Sequence, residues 1–325
     1  MKHSNISIFV PHIGCPCRCS FCNQNHITSK DSLPTANDVE YSVCVATKSK
    51  NYDYKNTQIA FFGGSFTAID RELMVSYLQT AYRFVKSGAV CGIRRSTRPD
   101  AIDDEVLSLL KKYGVQSIEL GAQSMCDDVL LANKRGHTAN DVIIASNLIK
   151  SYGFELGLQM MTGLYKSDFE KDFYTAQRIA ELKPDTVRIY PTVVIKNTLL
   201  EQLYSNNEYK PLSVDEACVR GARILKFFYD NNIDVIRFGL HSVEKDSFIA
   251  GPFHPALSEI ASSYLYRDII EKEISKKGFY TVYVNPKELS KAIGQKKSNI
   301  NYFQEKGVIL DIKPDNELGK FEIKL

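Results

Sequence analysis

No stretch of the 325-residue sequence approaches the roughly 20 apolar residues of a membrane-spanning helix, and the opening MKHSNISIFVPH lacks the apolar core of a secretory signal. Both absences lead to the expectation of a cytoplasmic chain whose thiols stay reduced. No Gly/Ser, Gln or Pro tract marks a disordered linker, and the formal net charge is only +3, so a compact globular protein is expected. Four of the eight cysteines, Cys44, Cys91, Cys126 and Cys218, stand singly. The other four crowd into one loop, and no second C-x2-C follows. A disulfide framework would spread its cysteines along a small secreted chain, so metal or redox chemistry is the better reading.

What is present is a regular alternation. Short β-branched or apolar runs occur at 7–10, 57–64, 89–97, 115–123, 154–161 and 185–191, with a seventh at 233–240. Between them, 70–85, 102–114, 141–153 and 216–232 carry apolar residues at three- and four-residue steps, the period of a helix with one buried face. Asp70 and Gly114 stand where a helix start and stop are expected. Such βα repetition predicts an α/β fold: a parallel sheet closed into a partial or full (β/α) barrel with helices outside. Chemistry in barrels of this kind gathers at the C-terminal ends of the strands, which here read PHIGC, GGSFT, STRPD, GAQS, QMMTG and YPT. After about residue 240 the pattern gives way to a loop at 241–259 and a helix near 256–273. The predicted division is a barrel domain over 1–275 and a small α/β domain over 276–325.

The cysteine loop VPHIGCPCRCSFCNQNH contains Cys15, Cys19 and Cys22 in a C-x3-C-x2-C spacing. One short loop of this kind can wrap three thiolates around a four-iron cluster and leave one iron open for a substrate or cofactor. Zinc is the competing reading, with His12 and His26 completing the ligands, although structural zinc usually takes its ligands from two separated knuckles. Cys17 is a bystander thiol, an alternative ligand or a redox-active residue.

C-x3-C-x2-C after a first strand, with Phe21 before the last cysteine and βα units following, resembles the radical S-adenosylmethionine (SAM) superfamily. The ordered motifs IFVPHIGCPCRCSFCNQ, FFGGSFT, STRPD, IELGAQS, QMMTGL and VRIYPTVV are similar to the radical domain of the Elongator catalytic subunit, from residue 6 to about 260. Oxygen-independent coproporphyrinogen oxidase is a more distant relative. This resemblance implies a [4Fe-4S] cluster on Cys15, Cys19 and Cys22, with S-adenosylmethionine chelated to the open iron and cleaved reductively to a 5′-deoxyadenosyl radical. A reductant such as flavodoxin or ferredoxin would supply the electron. It further implies that Gly63 and Gly64, followed by Ser65 and Thr67, contact the methionine amino group, and that Ser96, Thr97 and Arg98 line the cofactor or substrate side. From the residues alone, Arg98 could equally pair with Asp100 or Asp103.

Glu119, Gln123 and Gln159 are polar positions in otherwise apolar strands, so they are expected to face the lumen and hydrogen-bond there. We take all three as cofactor-binding candidates, with Gln123 as a helix cap the alternative. Met160 and Met161 read as packing, and Arg188 and Tyr190 as possible substrate-side residues. No individual catalytic residue is named. TGL at 162–164 departs from the PGL of relatives. The remaining length leaves no room for the acetyltransferase domain of the Elongator subunit, so its acetyl-CoA chemistry is not expected here.

From residue 274 onward ten lysines face six acids, and KAIGQKKSNI resembles the I-G-x-x-G loop of a KH module, which grips nucleotide backbone between two helices. Lys297 replaces the second glycine. Lys291, Gly294, Lys296 and Lys297 are the candidate RNA contacts, since phosphate binding at a helix N-terminus is physically sound. The expected function is radical modification of a base in ribosomal or transfer RNA, with no membrane partner. A radical enzyme acting on a small molecule or peptide, and a non-enzymatic iron–sulfur RNA-binding protein, are the alternatives.

Overall fold

Seven of the apolar runs form strands, as their composition predicts. They are β1 (Ser4–Val10), β2 (Thr57–Gly63), β3 (Gly92–Thr97), β4 (Val115–Gln123), β5 (Glu155–Thr162), β6 (Thr186–Pro191) and, after a short β7 (Val194–Ile195), β8 (Asp234–Phe238). In this computed structural model, which describes residues 4–10, 18–23, 33–240 and 246–325, they lie in the order β1-β2-β3-β4-β5-β6-β8, every neighbour parallel. Cys15, Cys17, His12 and His26 fall outside the described residues. Among the described residues β1 and β8 are not paired with each other, so the sheet is a partial barrel.

The helices α1 (Ala36–Thr47), α2 (Arg71–Lys86), α3 (Asp104–Lys112), α4 (Asp127–Ala132), α5 (Ala139–Ser151), α6 (Phe169–Glu181), α7 (Leu199–Ser205), α8 (Val214–Asp230) and α9 (Leu257–Glu273) complete this region. Asp70 caps α2 by accepting the Leu73 N–H (3.0 Å), and Gly114 follows α3 in a left-handed conformation. The strand expected from residue 89 begins instead at Gly92, because the Ala89 N–H closes the end of α2 on the Phe84 carbonyl (3.0 Å). Each central strand is buried on both faces. Ile93, Ile118, Leu120, Leu156, Leu158, Met160, Val187 and Ile189 join the main apolar core. The opposite face carries Arg94, Glu119, Gln159 and Arg188, linked across strands.

Beyond α9 the chain forms β10 (Gly278–Val284), α10 (Leu289–Ile293), α11 (Ser298–Glu305), β11 (Val308–Pro314) and β12 (Ile323–Lys324), after β9 (Phe248–Ala250) has paired with β7. The strand–helix–break–helix–strand order expected from the sequence is present, and β10 lies between a parallel β11 and an antiparallel β12. This small sheet shares one apolar core with the barrel, with α9 serving both sides. Buried Asn299 bonds from α11 to the Ser263 carbonyl (2.9 Å), and the Phe321 N–H reaches the Tyr266 hydroxyl (2.9 Å).

Candidate active site

The described part of the cysteine loop is held from two sides. Ser20 donates its N–H to the Asn133 carbonyl (3.0 Å) and its hydroxyl to Asn133 Oδ1 (2.6 Å), while its own carbonyl receives the Leu200 N–H at the start of α7 (2.8 Å). Cys22 turns back to Cys19 through an N–H···O bond (3.2 Å). Phe21 packs on Val129, Met161 and Leu164, the cluster that Tyr190 also packs against.

Below it lies a pocket of about 120 Å³ lined by Cys19, Phe21, Cys22, Gly63, Gly64, Ser65, Ser96, Thr97, Arg98, Gly121, Gln123, Arg135 and Gln159. The structure thus brings together two of the three expected cluster cysteines and eight of the ten expected cofactor residues. Thr67 and Glu119 do not line it. Thr67 bonds to Thr97 and to the Ala101 carbonyl (2.7 Å), and Thr97 is also 2.9 Å from Ser65. The hydroxyls therefore brace the β2 and β3 ends against each other.

Arg98 makes the two-point ion pair with Asp100 (2.8 and 2.7 Å) that its sequence position allowed. Glu119 lies deeper, 1% exposed, between Arg94 Nη1 (2.8 Å) and Arg188 Nε (2.9 Å), and it accepts from Gln159 (2.9 Å). Burial pushes its carboxyl up, but Arg188 and Arg94 outweigh burial and hold it below the ordinary range. Glu119 thus anchors the lumen floor rather than the pocket wall.

Several features fit a cluster with a polar, charged ligand. Gln123 Oε1 is buried without a hydrogen-bond partner, and so is Arg135 Nε. Such orphaned groups are costly and point to an absent partner. Gly63 lies at φ +115, and a Cβ there would sit 2.4 Å from the Val10 carbonyl oxygen, so backbone alone occupies this corner. Arg135 was not foreseen. Its guanidinium donates to Cys19 Sγ (3.1 Å) and to the Gly121 carbonyl (2.7 Å). The polar run NKRGHT directly after α4 was the available signal. Nearby His137 bonds through Nε2 to the Ala122 carbonyl (3.2 Å), and burial, with Arg135 beside it, pushes its pKa down to about 4.

In the C-terminal unit Lys291 pairs with Glu288 (2.6 Å), while Lys296 and Lys297 are exposed in the turn that follows Gly294. A Cβ on Gly294 (φ +81) would meet Ser298 Oγ at 2.3 Å and the Asn299 N–H nitrogen at 2.9 Å, so α11 begins against a position only glycine fills. Lys297 takes φ 63, the left-handed conformation that a second glycine would favour.

Comparison with known families decides the identity. The Radical SAM superfamily model matches residues 9–176, more than half of the chain, and the Radical SAM C-terminal domain model matches residues 184–267. The chain belongs to the radical SAM superfamily. It is an enzyme, and its cofactors are those of the superfamily, a [4Fe-4S] cluster and S-adenosylmethionine. The zinc and non-enzymatic readings left open by the sequence give way to this.

Among curated relatives, the tRNA uridine(34) acetyltransferase of Methanocaldococcus jannaschii is 38% identical over 124 residues, 37% of this chain and 23% of that protein. Elongator complex protein 3 of Schizosaccharomyces pombe is 32% identical over 197 residues, 59% of this chain and 36% of that protein. The chain therefore spans well under two thirds of the length of these relatives. The solved archaeal Elp3 of Methanocaldococcus infernus, with an N-terminal deletion, shares the fold at a TM-score of 0.64 and 19% identity, over 85% of this chain and 65% of that one. No helix among the described residues is long and apolar enough to cross a membrane.

Proposed function

We propose that this radical SAM enzyme holds its cluster on Cys15, Cys19 and Cys22 and modifies a base in transfer or ribosomal RNA. The observation that carries the reading is the pocket in which Cys19 and Cys22 meet Gly63, Gly64, Ser96, Arg98, Gln123, Gln159 and Arg135, gathered from four strand ends and the loop after α4. When bound, the reduced cluster splits S-adenosylmethionine and supplies a 5′-deoxyadenosyl radical able to activate one carbon–hydrogen bond.

The chain's own residues bind, orient and shield. Gly63 and Gly64 let backbone approach the methionine amino group. Gln123 Oε1 is an unpartnered acceptor for the same group, and Arg135 Nε, the one guanidinium nitrogen without a bond, a donor for the carboxylate. Phe21 and Met161 keep water from the loop. Ser65, Thr67, Ser96, Thr97 and Arg98 fix the ends of the strands, and Glu119 with Gln159 fixes the lumen beneath them.

The RNA reading draws support from relatives named as tRNA uridine(34) acetyltransferases and from the exposed lysine turn. In this proposal residues 276–325 form a KH-like unit in which Lys291, Gly294, Lys296 and Lys297 meet phosphates. The electron donor is a reduced flavodoxin or ferredoxin. The test is nucleoside mass spectrometry of RNA from cells with and without the gene, followed by anaerobic incubation of the deficient RNA with reconstituted enzyme. A nucleoside missing from deficient cells and restored in vitro supports the proposal. Identical nucleoside profiles, with S-adenosylmethionine cleavage intact, would assign the chemistry to a small molecule or peptide.

A further inference from the structure

The small sheet beyond α9 turns one face inward and leaves the other open. Val282, Val284 and Leu310 join the apolar core, and Tyr280, Ile312 and Ile323 pack against it. Alternation along each strand sends the residues between them to the outer face. In register across β10, β11 and β12 these are Phe279 beside Ile309, Thr281 beside Asp311, and Tyr283 between Lys313 and Lys324.

Phe279 is 65% exposed and Ile309 59% exposed. Lone exposed apolar residues need no explanation, but an aromatic and an aliphatic side chain directly opposite each other on neighbouring strands form one patch held open to solvent. Its surroundings are cationic. Lys313 and Lys324 flank Tyr283, and Lys277, two residues before Phe279, is exposed beside Gly307. Among the described residues Lys277 and Lys324 make no ion pair, while Lys313 is 3.1 Å from Asp311. The nearby Glu322 carboxylate is taken up by the Gly319 N–H (2.7 Å). Three lysines and one aspartate thus surround two exposed rings.

From this face we infer that the C-terminal unit binds single-stranded RNA by stacking bases on Phe279 and Tyr283, with Lys277, Lys313 and Lys324 on the phosphates. The inference rests on the RNA reading above, and adds to it the form of RNA taken and the surface that grips it. At a rise of about 3.3 Å per residue the two rings stand roughly 13 Å apart, so each receives its own base. Every base has a π face, so stacking on an aromatic ring tolerates any sequence, and ammonium groups alongside follow the backbone. A second copy of this chain is the competing occupant. Docking about a two-fold axis would bring one lysine-rich face against another, and lysine is depleted from protein–protein interfaces.

The chain contains no tryptophan, so Phe279→Trp in the full protein places a single indole reporter on this face. Titration with short oligouridylate should quench the indole emission of this variant saturably, because a base stacks on the ring. Heparin, a polyanion without bases, should not quench it. In fluorescence anisotropy with labelled oligouridylate, Phe279→Leu and Tyr283→Leu keep apolar surface but lose the ring, and each should weaken binding about fivefold or more. Phe279→Trp should bind at least as well as wild type. Both positions lie on the open face, so thermal unfolding of the variants should match wild type.

Oligouridylate-specific quenching together with the loss of affinity in the leucine variants would sustain the stacking face. Undiminished affinity in Phe279→Leu/Tyr283→Leu, or heparin quenching as strongly as oligouridylate, would overturn it and leave RNA modification standing. So would dimerisation of wild type in sedimentation equilibrium that the double variant loses while keeping its RNA affinity. No affinity of wild type for either oligouridylate or transfer RNA would overturn the stacking face and the RNA reading together.

Discussion

Replacing Glu119 by Gln tests whether the lumen floor is held by charge. Glu119 is the anion between Arg94 and Arg188, with side-chain exposures of 1%, 4% and 9% respectively. Glutamine keeps the volume and one acceptor oxygen but removes the anion that Arg94 and Arg188 share, leaving Arg94 only the more distant Glu155 (3.5 Å). Breaking a buried ion pair from one side costs about 3–5 kcal/mol, because the remaining charge loses its partner in a low-dielectric site. We expect a loss of that size in urea unfolding of the domain at pH 7.

The sign of the pH dependence follows from the depressed carboxyl. Stability from ionised Glu119 is present above its unfolded pKa and is lost as pH falls through the lower folded value. The gap between wild type and Glu119→Gln should therefore narrow below about pH 4.5. Substituting one arginine, as in Arg188→Met, removes a pair but leaves Arg94 to hold the carboxylate, so it should cost less. A loss under about 1 kcal/mol for Glu119→Gln, or a gap unchanged down to the lowest pH at which the protein stays folded, would refute an ionised anchor.

Other outcomes follow from the same geometry. Arg135→Gln should lower the reduction potential of the cluster in an EPR-monitored titration, because a donor 3.1 Å from Cys19 Sγ stabilises the more negative, reduced state. Burial raises Asp172 to about 6 despite bonds from Ser167 and the Gly163 N–H, so stability should fall as pH rises through 6, by up to about 3 kcal/mol. Asp172→Asn should abolish that slope in thermal unfolding between pH 4 and 7. Gly294→Ala should destabilise the C-terminal unit by about 2 kcal/mol or more, read as faster limited proteolysis beyond residue 276. Lys296→Ala/Lys297→Ala should leave unfolding nearly unchanged and weaken RNA retention on a filter.

The sheet was legible because its strands are buried on both faces and read as apolar runs between amphipathic helices, as with 115–123, which is β4 to the residue. Less legible were α1, α4 and α7, short or weakly patterned helices whose place is fixed by tertiary contacts such as the Leu200 N–H on Ser20. The glycine, serine and glutamine positions of the pocket could be read from strand ends. Arg135 could not, since the loop after α4 returns to the cysteines only in three dimensions. Glu119 and Arg98 were recognised as polar positions needing partners. The partners of Glu119, Arg94 on the neighbouring β3 and Arg188 on β6 two strands away, required a register that sequence spacing does not specify, whereas Asp100 was one of the two partners the sequence offered Arg98.

The central claim is that Cys15, Cys19 and Cys22 hold a cluster that cleaves S-adenosylmethionine. The most direct measurement is anaerobic reconstitution with iron and sulfide, then reduction with dithionite in the presence of S-adenosylmethionine, following 5′-deoxyadenosine by mass spectrometry in wild type and Cys19→Ala. The account predicts 5′-deoxyadenosine from wild type alone, in the presence of RNA if substrate is needed to trigger cleavage. Equal product from Cys19→Ala, or none from a fully loaded wild-type cluster with RNA present, would contradict it.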